Sequence, residues 1–489
     1  MSAAILRHPA VKPWPIFAED QLPLALWDAR SIAEATGGVA SGDFQISGVE
    51  MDSRDVLSGD LFVALKGEAM DGHRFLDAAF ANGAVAALVE QPIDRPHVLV
   101  KDTTAALAAL ASAARGRGRA TVIGVTGSVG KTGVKEAIFA ALERSSRGAA
   151  HRSTRSYNNH VGVPLSLARM PARSKFGVFE MGMNHAGEIS GLTRQVRPNV
   201  AVITTIAPAH IENLGSEEAI ADAKAEIFAG LEPGGTAVIP ADSPHYERLR
   251  AAAETCGAKV VSFGTERHAT VRLLDAIPSA NGGSLVTCEH KRGRICFTVA
   301  EPGAHWVMNA LCVMAAVQAA GGDLAAAGIA LAEMGGLKGR GARHQIPAPG
   351  GHALLIDESY NANPASMRAT LAQLGATPAT RRIAVLGSMK ELGDFAPAFH
   401  AMLGEPVSAA KIDYAILVGD EMTALARELG KAGGISLGFD GSFTHCRSVA
   451  EAIDALEDFG LVAGDAVLVK GSNSVGLGSI VDHLTRTRR

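Results

Sequence analysis

The chain has 489 residues, of which 47% are hydrophobic and 20% are charged, and its formal net charge is −4. Such a length exceeds what one hydrophobic core supports, so we expect two to four domains of a soluble globular protein, and the charge argues against a general nucleic-acid-binding surface. The 5 cysteines are scattered without a Cys-x-x-Cys pair, which speaks against a disulfide framework or a zinc site and indicates a reducing cytoplasm.

No segment is typical of export or of membrane insertion. Residues 1–17 carry Arg7, Lys12 and three prolines where a signal peptide needs an unbroken apolar core. The alanine-rich runs at 105–114 and 310–320 are shorter than the roughly eighteen apolar residues of a membrane span. We therefore expect a cytoplasmic protein without membrane insertion.

Residues from about 26 to 100 have the pattern of a small α/β domain. Strand-like runs at 46–54 and 59–67 end in polar or glycine turns, and 71–80 leads into an amphipathic helix. Ser53 and Arg54 stand at the end of the first run. They could bind a phosphate or a nucleotide base, but an arginine exposed in a turn is the commoner case.

A helical connector at 102–120 leads into a region where strands and helices alternate, as a mostly parallel sheet requires. Its first strand runs into a glycine-rich loop that ends in Gly-Lys-Thr at 130–132. The strict P-loop pattern has a glycine where this chain has Val125, so the context must carry the interpretation. A buried strand before the loop and a helix after it favour phosphate binding over an ordinary glycine turn.

Three glycines of this loop region, Gly124, Gly127 and Gly130, lack a Cβ. Their backbone can therefore adopt positive φ angles and direct N–H groups at one anion, at the positive end of the helix. Lys131 would then reach the outer phosphates, and the Thr132 hydroxyl would hold Mg²⁺.

Polar residues follow two apolar runs of the same region, where open α/β sheets bind ligands. Glu180 ends one run and is suited to hold Mg²⁺, the alternative being a turn cap or an ion pair with Arg152 or Arg155. His210 follows another run and is either a metal or substrate ligand or, as is commoner for a lone histidine, a structural residue. By pattern alone, Lys224 is an exposed lysine on a helix.

Asn158 and Asn159 lie in a polar turn, where they either cap the next helix or reach a phosphate or sugar. Antiparallel strands are predicted at 282–299, with turns at 281–283 and 291–293, and a helix at 307–318. Glycines at 335–341 indicate the second domain boundary. The third region alternates again, with a polar turn at 357–364 and strands predicted at 353–357, 382–386, 414–418 and 466–469.

Together these motifs resemble those of the Mur ligase family, in the family's order and over nearly the whole chain. The resemblance rests on residues 124–132, Tyr157-Asn-Asn-His-Val-Gly-Val-Pro164, 180–189, Ala209-His-Ile-Glu212, 223–227, 305–309 and Asp357-Glu-Ser-Tyr-Asn-Ala-Asn-Pro364, with 52–54 and 59–67 in the first domain. It implies an α/β fold of three domains: a small N-terminal domain for the UDP part at 1–105, a central P-loop ATPase domain with a mostly parallel sheet at 106–336, and a C-terminal Rossmann-like domain at 337–489.

The resemblance also implies roles by position. Thr132 and Glu180 would hold a first Mg²⁺, and His210 a second, supported by Lys224 after carbamylation by CO₂. The γ-phosphate arginine is Arg340 or Arg343. Substrate would meet Ser53, Arg54, Asn158 and Asn159, and ATP would meet Gly127, Ser128, Val129, Gly130, Lys131, Thr132, Asn309 at the adenine, Asp357 at the ribose, Tyr360, Asn361 and Asn363.

Within the family, the resemblance is closest to the member that joins D-alanyl-D-alanine to UDP-N-acetylmuramoyl-tripeptide, using ATP and two Mg²⁺ ions, as a monomer in the cytoplasm. Ser388 stands where relatives usually have aspartate, and Asn473 where arginine is common. A rival is the member that adds one amino acid, but its Asp-Asn-Pro-Arg segment is absent and Asn361-Ala-Asn-Pro364 favours the dipeptide. A P-loop switch or transport ATPase would leave the first domain without a purpose. The third peptide residue, diaminopimelate or lysine, stays open.

Overall fold

The computed structural model describes residues 25–67, 70–279, 282–431 and 440–486. Its sheets fall into three successive α/β units, which confirms the predicted fold class. The segment at 1–17 and Asn281 of the turn predicted at 281–283 lie outside the described residues. The domain bounds at 105 and 336 stay predictions.

The N-terminal unit is a small sheet with the strand order β2-β7-β6-β5-β4, beside a short antiparallel pair, β1 and β3. The strands β4 to β7 run parallel, and β2 is antiparallel to β7. The elements are β1 (Trp27–Asp28), α1 (Ala29–Thr36), β2 (Val39–Ala40), β3 (Gln45–Ile46), β4 (Gly48–Glu50), β5 (Asp60–Val63), α2 (Leu76–Ala81), β6 (Ala86–Val89), β7 (His97–Leu99) and α3 (Thr103–Arg117).

The central unit is built on a long sheet with the order β16-β15-β14-β13-β12-β11-β8-β10-β9. It is parallel from β9 to β14 and antiparallel from β14 to β16. The elements are β8 (Thr121–Thr126), α4 (Lys131–Ser146), β9 (Ala150–Arg152), α5 (Gly162–Ala168), β10 (Phe176–Glu180), α6 (Glu188–Val196), β11 (Val200–Ile203), α7 (Ile211–Leu214), α8 (Glu217–Ala225), β12 (Thr236–Pro240), α9 (Tyr246–Thr255), β13 (Lys259–Gly264), β14 (Val271–Pro278), β15 (Ser284–His290), β16 (Gly293–Val299), α10 (Ala304–Ala319) and α11 (Leu324–Glu333).

The strand β8 pairs in parallel with β10 on one side and with β11 on the other. All three are apolar and almost entirely buried, because helices cover both faces of the sheet. Their carboxyl ends therefore meet at one edge, where the glycine loop, Glu180 and the segment that leads to His210 come together, as the sequence predicted.

The C-terminal unit has the strand order β17-β18-β22-β19-β20-β21. Only β17 is antiparallel to its neighbour among the described strands of this sheet. The elements are β17 (Ala342–Ala348), β18 (Gly351–Glu358), α12 (Pro364–Ala376), β19 (Arg382–Gly387), α13 (Ala396–Ala401), α14 (Gly404–Ala409), β20 (Tyr414–Val418), α15 (Thr423–Lys431), β21 (Ser442–Cys446), α16 (Val449–Phe459), β22 (Ala466–Lys470) and α17 (Gly478–Arg486).

The N-terminal and central units share a hydrophobic core. Leu165 and Ala168 of α5 pack in the same cluster as Trp27 and the buried face of α3. The Trp27 indole N–H donates to the Ala168 carbonyl at 2.9 Å, and the Arg117 guanidinium lies 3.5 Å from the Trp27 ring centroid. These two units are therefore joined by packing as well as by the chain.

Several element bounds differ from the sequence prediction. The helix predicted after the glycine loop begins directly at Lys131, and Gly130 caps it with a positive φ of 86°. The segment at 71–80 forms a 3₁₀ turn, Gly72–Phe75, before α2. The strand β14 extends the antiparallel end of the central sheet beyond the predicted start at 282. Across the described ranges, no helix is both long and apolar enough to cross a membrane.

Candidate functional site

Two of the three glycines, Gly127 and Gly130, adopt positive φ angles as predicted, and Gly124 does not. Gly127 has φ 148° and Gly130 has φ 86°, and a Cβ at Gly127 would lie 1.9 Å from the Thr204 hydroxyl oxygen. Gly124 is instead part of β8 and does not adopt a positive φ. The expectation for Gly124 was wrong: a Cβ there would lie 2.5 Å from the Met181 methyl, so this glycine serves packing.

Lys131 is the first residue of α4, at the positive end of the helix. Its ammonium donates to the Gly127 carbonyl at 2.6 Å, which folds the side chain over the loop. Desolvation lowers the pKa of Lys131, and the nearby Glu180 carboxylate opposes this shift. A phosphate above the loop would give this ammonium an anionic partner.

Glu180 is fully buried at the end of β10. Its carboxylate accepts from the Thr132 hydroxyl at 2.9 Å and from the Asn158 amide at 2.8 Å. The predicted alternative, an ion pair of Glu180 with an arginine, is wrong, because Arg152 pairs with Glu136 at 2.9 Å and Arg155 pairs with Asp55 at 2.7 Å.

A hydroxyl and a carboxylate that face each other are the oxygen ligands that Mg²⁺ prefers, and this ion usually keeps waters and phosphate oxygens as its other ligands. Within the described ranges, no group of three or more His, Cys, Asp or Glu side chains is arranged to hold a metal ion. The Thr132 and Glu180 oxygens fit a Mg²⁺ ion that keeps nucleotide oxygens among its other ligands.

One cavity of about 580 Å³ lies between the central and C-terminal units. Residues of both units line it, so the two units together form the site. The predicted site residues on its wall are Ser128, Val129, Gly130, Lys131, Asn158, Glu180, His210, Asn309, Arg340, Tyr360, Asn361 and Asn363.

The structure distinguishes the two candidate arginines. The Arg340 guanidinium lies 4.3 Å from the Tyr360 ring centroid and donates to the Ser156 hydroxyl at 3.4 Å, on the cavity wall. Arg343 is not on that wall. It lies near Glu301, whose pKa burial raises to about 7 while Arg343 opposes the shift. Of the two, Arg340 is the one placed to meet a nucleotide.

This difference predicts the effect of two matched substitutions. Arg340→Met should lower kcat for nucleotide turnover by about a hundredfold or more, since an arginine that meets the transferring phosphoryl group stabilises its charge. Arg343→Met should change kcat by less than about threefold, and should lower the melting temperature if Glu301 is ionised and loses its counter-charge. Turnover rates and thermal melts of both variants check this, and equal losses of kcat would contradict the assignment.

His210 lies on the cavity wall and contacts a residue of the C-terminal unit. It has a left-handed backbone with φ 59°, and its Nδ1 lies 2.6 Å from Oε2 of Glu391 in the C-terminal unit. The two atoms are close but are not aligned as a hydrogen bond, and the proximity of His210 lowers the pKa of Glu391. Glu391 is itself left-handed, with φ 64°. No pattern in the sequence predicts this partner of His210.

Lys224 is buried in α8, with only 1% of its surface exposed. The prediction from pattern alone, an exposed lysine, was wrong. Burial and the charge of Lys131 hold the pKa of Lys224 well below its ordinary value. Within the described part of the chain, no hydrogen bond or ion pair of its ammonium is found. Burial therefore favours the neutral form of this amine.

Asp357 supports the polar turn and does not line the cavity. One carboxylate oxygen accepts from the Gly339 N–H at 2.8 Å, and the other accepts from the Ser359 hydroxyl at 2.6 Å. Asn363 caps α12 through a capping box with Ser366. The contact predicted between Asp357 and ribose stays a prediction. In this structure both carboxylate oxygens accept hydrogen bonds from the protein.

The cavity wall also contains a buried cation that sequence reasoning did not assign. Lys470 is 1% exposed, and its ammonium donates to the Asn361 carbonyl at 2.9 Å and lies 3.3 Å from Oε2 of Glu358. Its position at the end of the buried strand β22 was the available signal. His305, also on the wall, has its pKa lowered to about 4 by burial.

The predicted substrate residues of the N-terminal unit lie away from this cavity. Ser53 is buried, and the exposed Arg54 guanidinium pairs with Asp52 at 2.6 Å. In the central unit, the Asn159 side chain accepts from the Gly162 N–H at 2.9 Å, at the first residue of α5. A role for these residues at a substrate stays a prediction.

Comparison with known proteins follows the same three-part division. The Mur ligase family catalytic domain matches residues 45–115, the Mur ligase middle domain matches 125–317, and the Mur ligase glutamate ligase domain matches 343–473. A UDP-N-acetylmuramoyl-tripeptide–D-alanyl-D-alanine ligase of Synechocystis sp. is 35% identical over 470 residues, which cover 94% of this chain and 97% of the relative.

Solved structures agree with this division. A crystal structure of MurF from Acinetobacter baumannii is 31% identical with a TM-score of 0.80, covering 95% of this chain and 100% of that one. MurF ligase of Thermotoga maritima, crystallised in complex with ADP, is 26% identical with a TM-score of 0.72, covering 90% and 97%. By domain order, sequence and fold, this chain belongs to the Mur ligase family.

Proposed function

We propose that this chain joins D-alanyl-D-alanine to UDP-N-acetylmuramoyl-tripeptide in an ATP-dependent step of peptidoglycan precursor synthesis. The observation that carries the proposal is the cavity in which a P-loop, a buried carboxylate and the arginine of a third domain face one another. Support comes from relatives of that name, which match this chain along most of its length. The ADP complex of one of them supports ATP as the nucleotide.

The reaction requires activation, because a carboxylate is a poor electrophile. The terminal carboxylate of the tripeptide attacks the γ-phosphorus of ATP, the bond to the β-phosphate oxygen breaks, and ADP leaves. The amine of the dipeptide then attacks the acyl carbon of the resulting acyl phosphate. Inorganic phosphate leaves with the electrons of the C–O bond, and the amine nitrogen loses a proton. No protein nucleophile is needed.

The protein's part is to bring anions together and to stabilise the transferred phosphoryl group. We assign the phosphates to the loop amides of residues 127–132 and to Lys131, and the γ-phosphate to Arg340. Asn309, Tyr360, Asn361 and Asn363 surround the rest of the nucleotide. Contact of the two units across the cavity limits the entry of water to the acyl phosphate.

Thr132 and Glu180 would hold one Mg²⁺ ion, and His210 would hold a second. Bound Mg²⁺ neutralises phosphate charge and orients the oxygens of the transferred group. For His210 to serve a metal, its Nδ1 contact with Glu391 has to open or its other ring nitrogen has to be used.

We further propose that Lys224 is carbamylated. A neutral amine attacks CO₂, forms an N–C bond and releases a proton, which replaces a potential cation by an anion. The burial of Lys224, its lowered pKa and the proximity of Lys131 support this reaction. A carbamate there would give Lys131 a counter-charge and His210 a companion at the second metal.

Two other expectations belong to this proposal. We infer a cytoplasmic location, where the UDP-linked substrate and ATP occur, and a monomeric enzyme. The observations favour neither the addition of a single amino acid nor a nucleotide switch, because relatives that are 34–36% identical to this chain over most of its length carry the dipeptide-adding name.

The test is phosphate release from ATP and Mg²⁺ in the presence of UDP-N-acetylmuramoyl-tripeptide, with and without D-alanyl-D-alanine. We expect release that depends on both substrates and a product heavier by the dipeptide residue, measured by mass spectrometry. Stimulation by a single amino acid instead would keep the family chemistry and overturn the dipeptide. ATP turnover that does not depend on either substrate would favour a nucleotide switch. Parallel reactions with lysine or diaminopimelate at the third position identify the preferred tripeptide.

A further inference from the structure

A second lysine of the P-loop helix, Lys135, is fully buried in α4, one helical turn after Lys131. It does not line the cavity. Its ammonium donates to two backbone carbonyls, that of Ser153 at 3.0 Å and that of Arg155 at 2.8 Å. It also lies 2.7 Å from Oε1 of Glu136. A buried charge persists only where its hydrogen bonds are satisfied, so these three partners account for its position.

The carbonyls that Lys135 holds belong to the loop at 153–158, and this loop supplies several contacts of the nucleotide site. The Ser153 hydroxyl accepts from the Glu180 N–H at 3.1 Å. The Ser156 hydroxyl lies 3.3 Å from that of Thr132 and accepts from Arg340 at 3.4 Å. The loop ends at Asn158, whose amide donates to the Glu180 carboxylate.

The loop at 153–158 contains a residue with a strained backbone, Arg155, whose side chain binds to the N-terminal unit. Arg155 has a left-handed backbone with φ 52°, a conformation that costs a non-glycine residue free energy and persists only where its surroundings impose it. Its guanidinium makes two bonds to Asp55 of the N-terminal unit, at 2.7 and 3.1 Å. Lys135 restrains its carbonyl from the other side.

From these contacts we propose that Lys135 is a positioning residue of the ligase reaction. By holding the loop 153–158, it keeps Ser156 and Asn158 against Thr132, Arg340 and Glu180, and so preorganises the nucleotide site without touching the substrates. The part of this inference that concerns catalysis rests on the proposed function. The part that concerns nucleotide binding does not.

The test replaces Lys135 by methionine, which keeps the aliphatic length and removes the ammonium. We expect the Kd for Mg²⁺ with a non-hydrolysable ATP analogue, measured by calorimetry, to rise by about fivefold or more, and kcat to fall by about tenfold or more, because a small misplacement of catalytic groups is costly. The KM for D-alanyl-D-alanine should stay within about twofold, since the contacts of this loop lie on the nucleotide side.

Arg115→Met is the matched control. Arg115 is another buried cation that donates to two backbone carbonyls, of Val196 at 2.8 Å and Arg197 at 2.7 Å, away from the cavity. We expect it to lower the melting temperature and to leave kcat and nucleotide Kd of the folded protein unchanged. If Lys135→Met does not fold, Lys135→Gln replaces it, since its amide can still donate to one carbonyl and should give a smaller effect in the same direction.

A double-mutant cycle with Ser156→Ala separates positioning from general stability. If Lys135 acts through the loop, Ser156→Ala should raise the nucleotide Kd of the wild type. In the Lys135→Met background, the same substitution should raise the Kd by less than about twofold further. Fully multiplicative effects, or an unchanged Kd in a folded Lys135→Met protein, would overturn the proposal. A wild type without dipeptide-dependent turnover, combined with the expected Kd changes, would refute the ligase function and leave Lys135 as the residue that positions the loop.

Discussion

Replacing Lys224 by alanine is expected to lower phosphate release in the complete ligase reaction by about ten- to a hundredfold, the loss typical when a partner that supports a metal site is removed. The reason is the loss of the proposed carbamate, and with it the anion that would support the proposed second metal. Because the Lys224 side chain is buried, the substitution leaves a small space at this point of the central unit. Formate, acetate or bicarbonate that enters the space should restore part of the activity.

The control for this prediction is Lys431→Ala, which removes an exposed lysine that pairs with Glu428 at 2.8 Å. It should retain full activity and show no response to carboxylates at matched ionic strength. A direct measurement is ¹³C NMR of the protein under ¹³CO₂, in which the wild type should show a carbamate resonance that Lys224→Ala lacks. Full activity of Lys224→Ala would remove the residue from the mechanism.

Replacing Lys131 by methionine should lower kcat by about a thousandfold, since a preorganised charge aimed at the transferring phosphoryl group is among the largest contributions to such a reaction. The Kd for a non-hydrolysable ATP analogue should also rise. Thermal stability should stay equal or increase, because desolvation already lowers the pKa of Lys131 and the free protein holds this ammonium at a cost.

Lys175→Met supplies the comparison, since Lys175 is exposed just before β10 in the same unit. Its kinetics and its melting temperature should match those of the wild type. A Lys131→Met protein that is folded and retains more than about a tenth of the wild-type kcat would contradict the assignment of this lysine to the phosphates.

The sequence predicted the elements that backbone periodicity controls. Strands such as Tyr414–Val418 were found with the predicted bounds, because a continuous apolar run between polar turns has few other ways to be buried. The meeting of the glycine loop and Glu180 followed from a general property of parallel sheets, whose carboxyl ends share one edge. Family resemblance then supplied roles for single residues.

What the sequence could not predict depends on packing between distant segments. Lys224 lies among small residues and has the local pattern of a surface helix, so only the assembled unit reveals that it is buried. Arg340 and Arg343 share one glycine-rich segment, and they differ in their neighbours, which are Tyr360 and Ser156 for Arg340 and Glu301 for Arg343. Lys135 was missed for the same reason: its partners are carbonyls, which leave no mark in the residue pattern.

The hydrophobic cluster that Leu165 and Ala168 of α5 share with Trp27 sets the limits for recombining this enzyme with its relatives. An N-terminal domain transplanted without α5 would meet a foreign helix surface and lose the indole bond to the Ala168 carbonyl. The segment that has to be exchanged as one unit is thus longer than the part of the chain before α3. Chimaeras that exchange the N-terminal unit have to carry α5 and the Arg155–Asp55 pair along with the donor sequence.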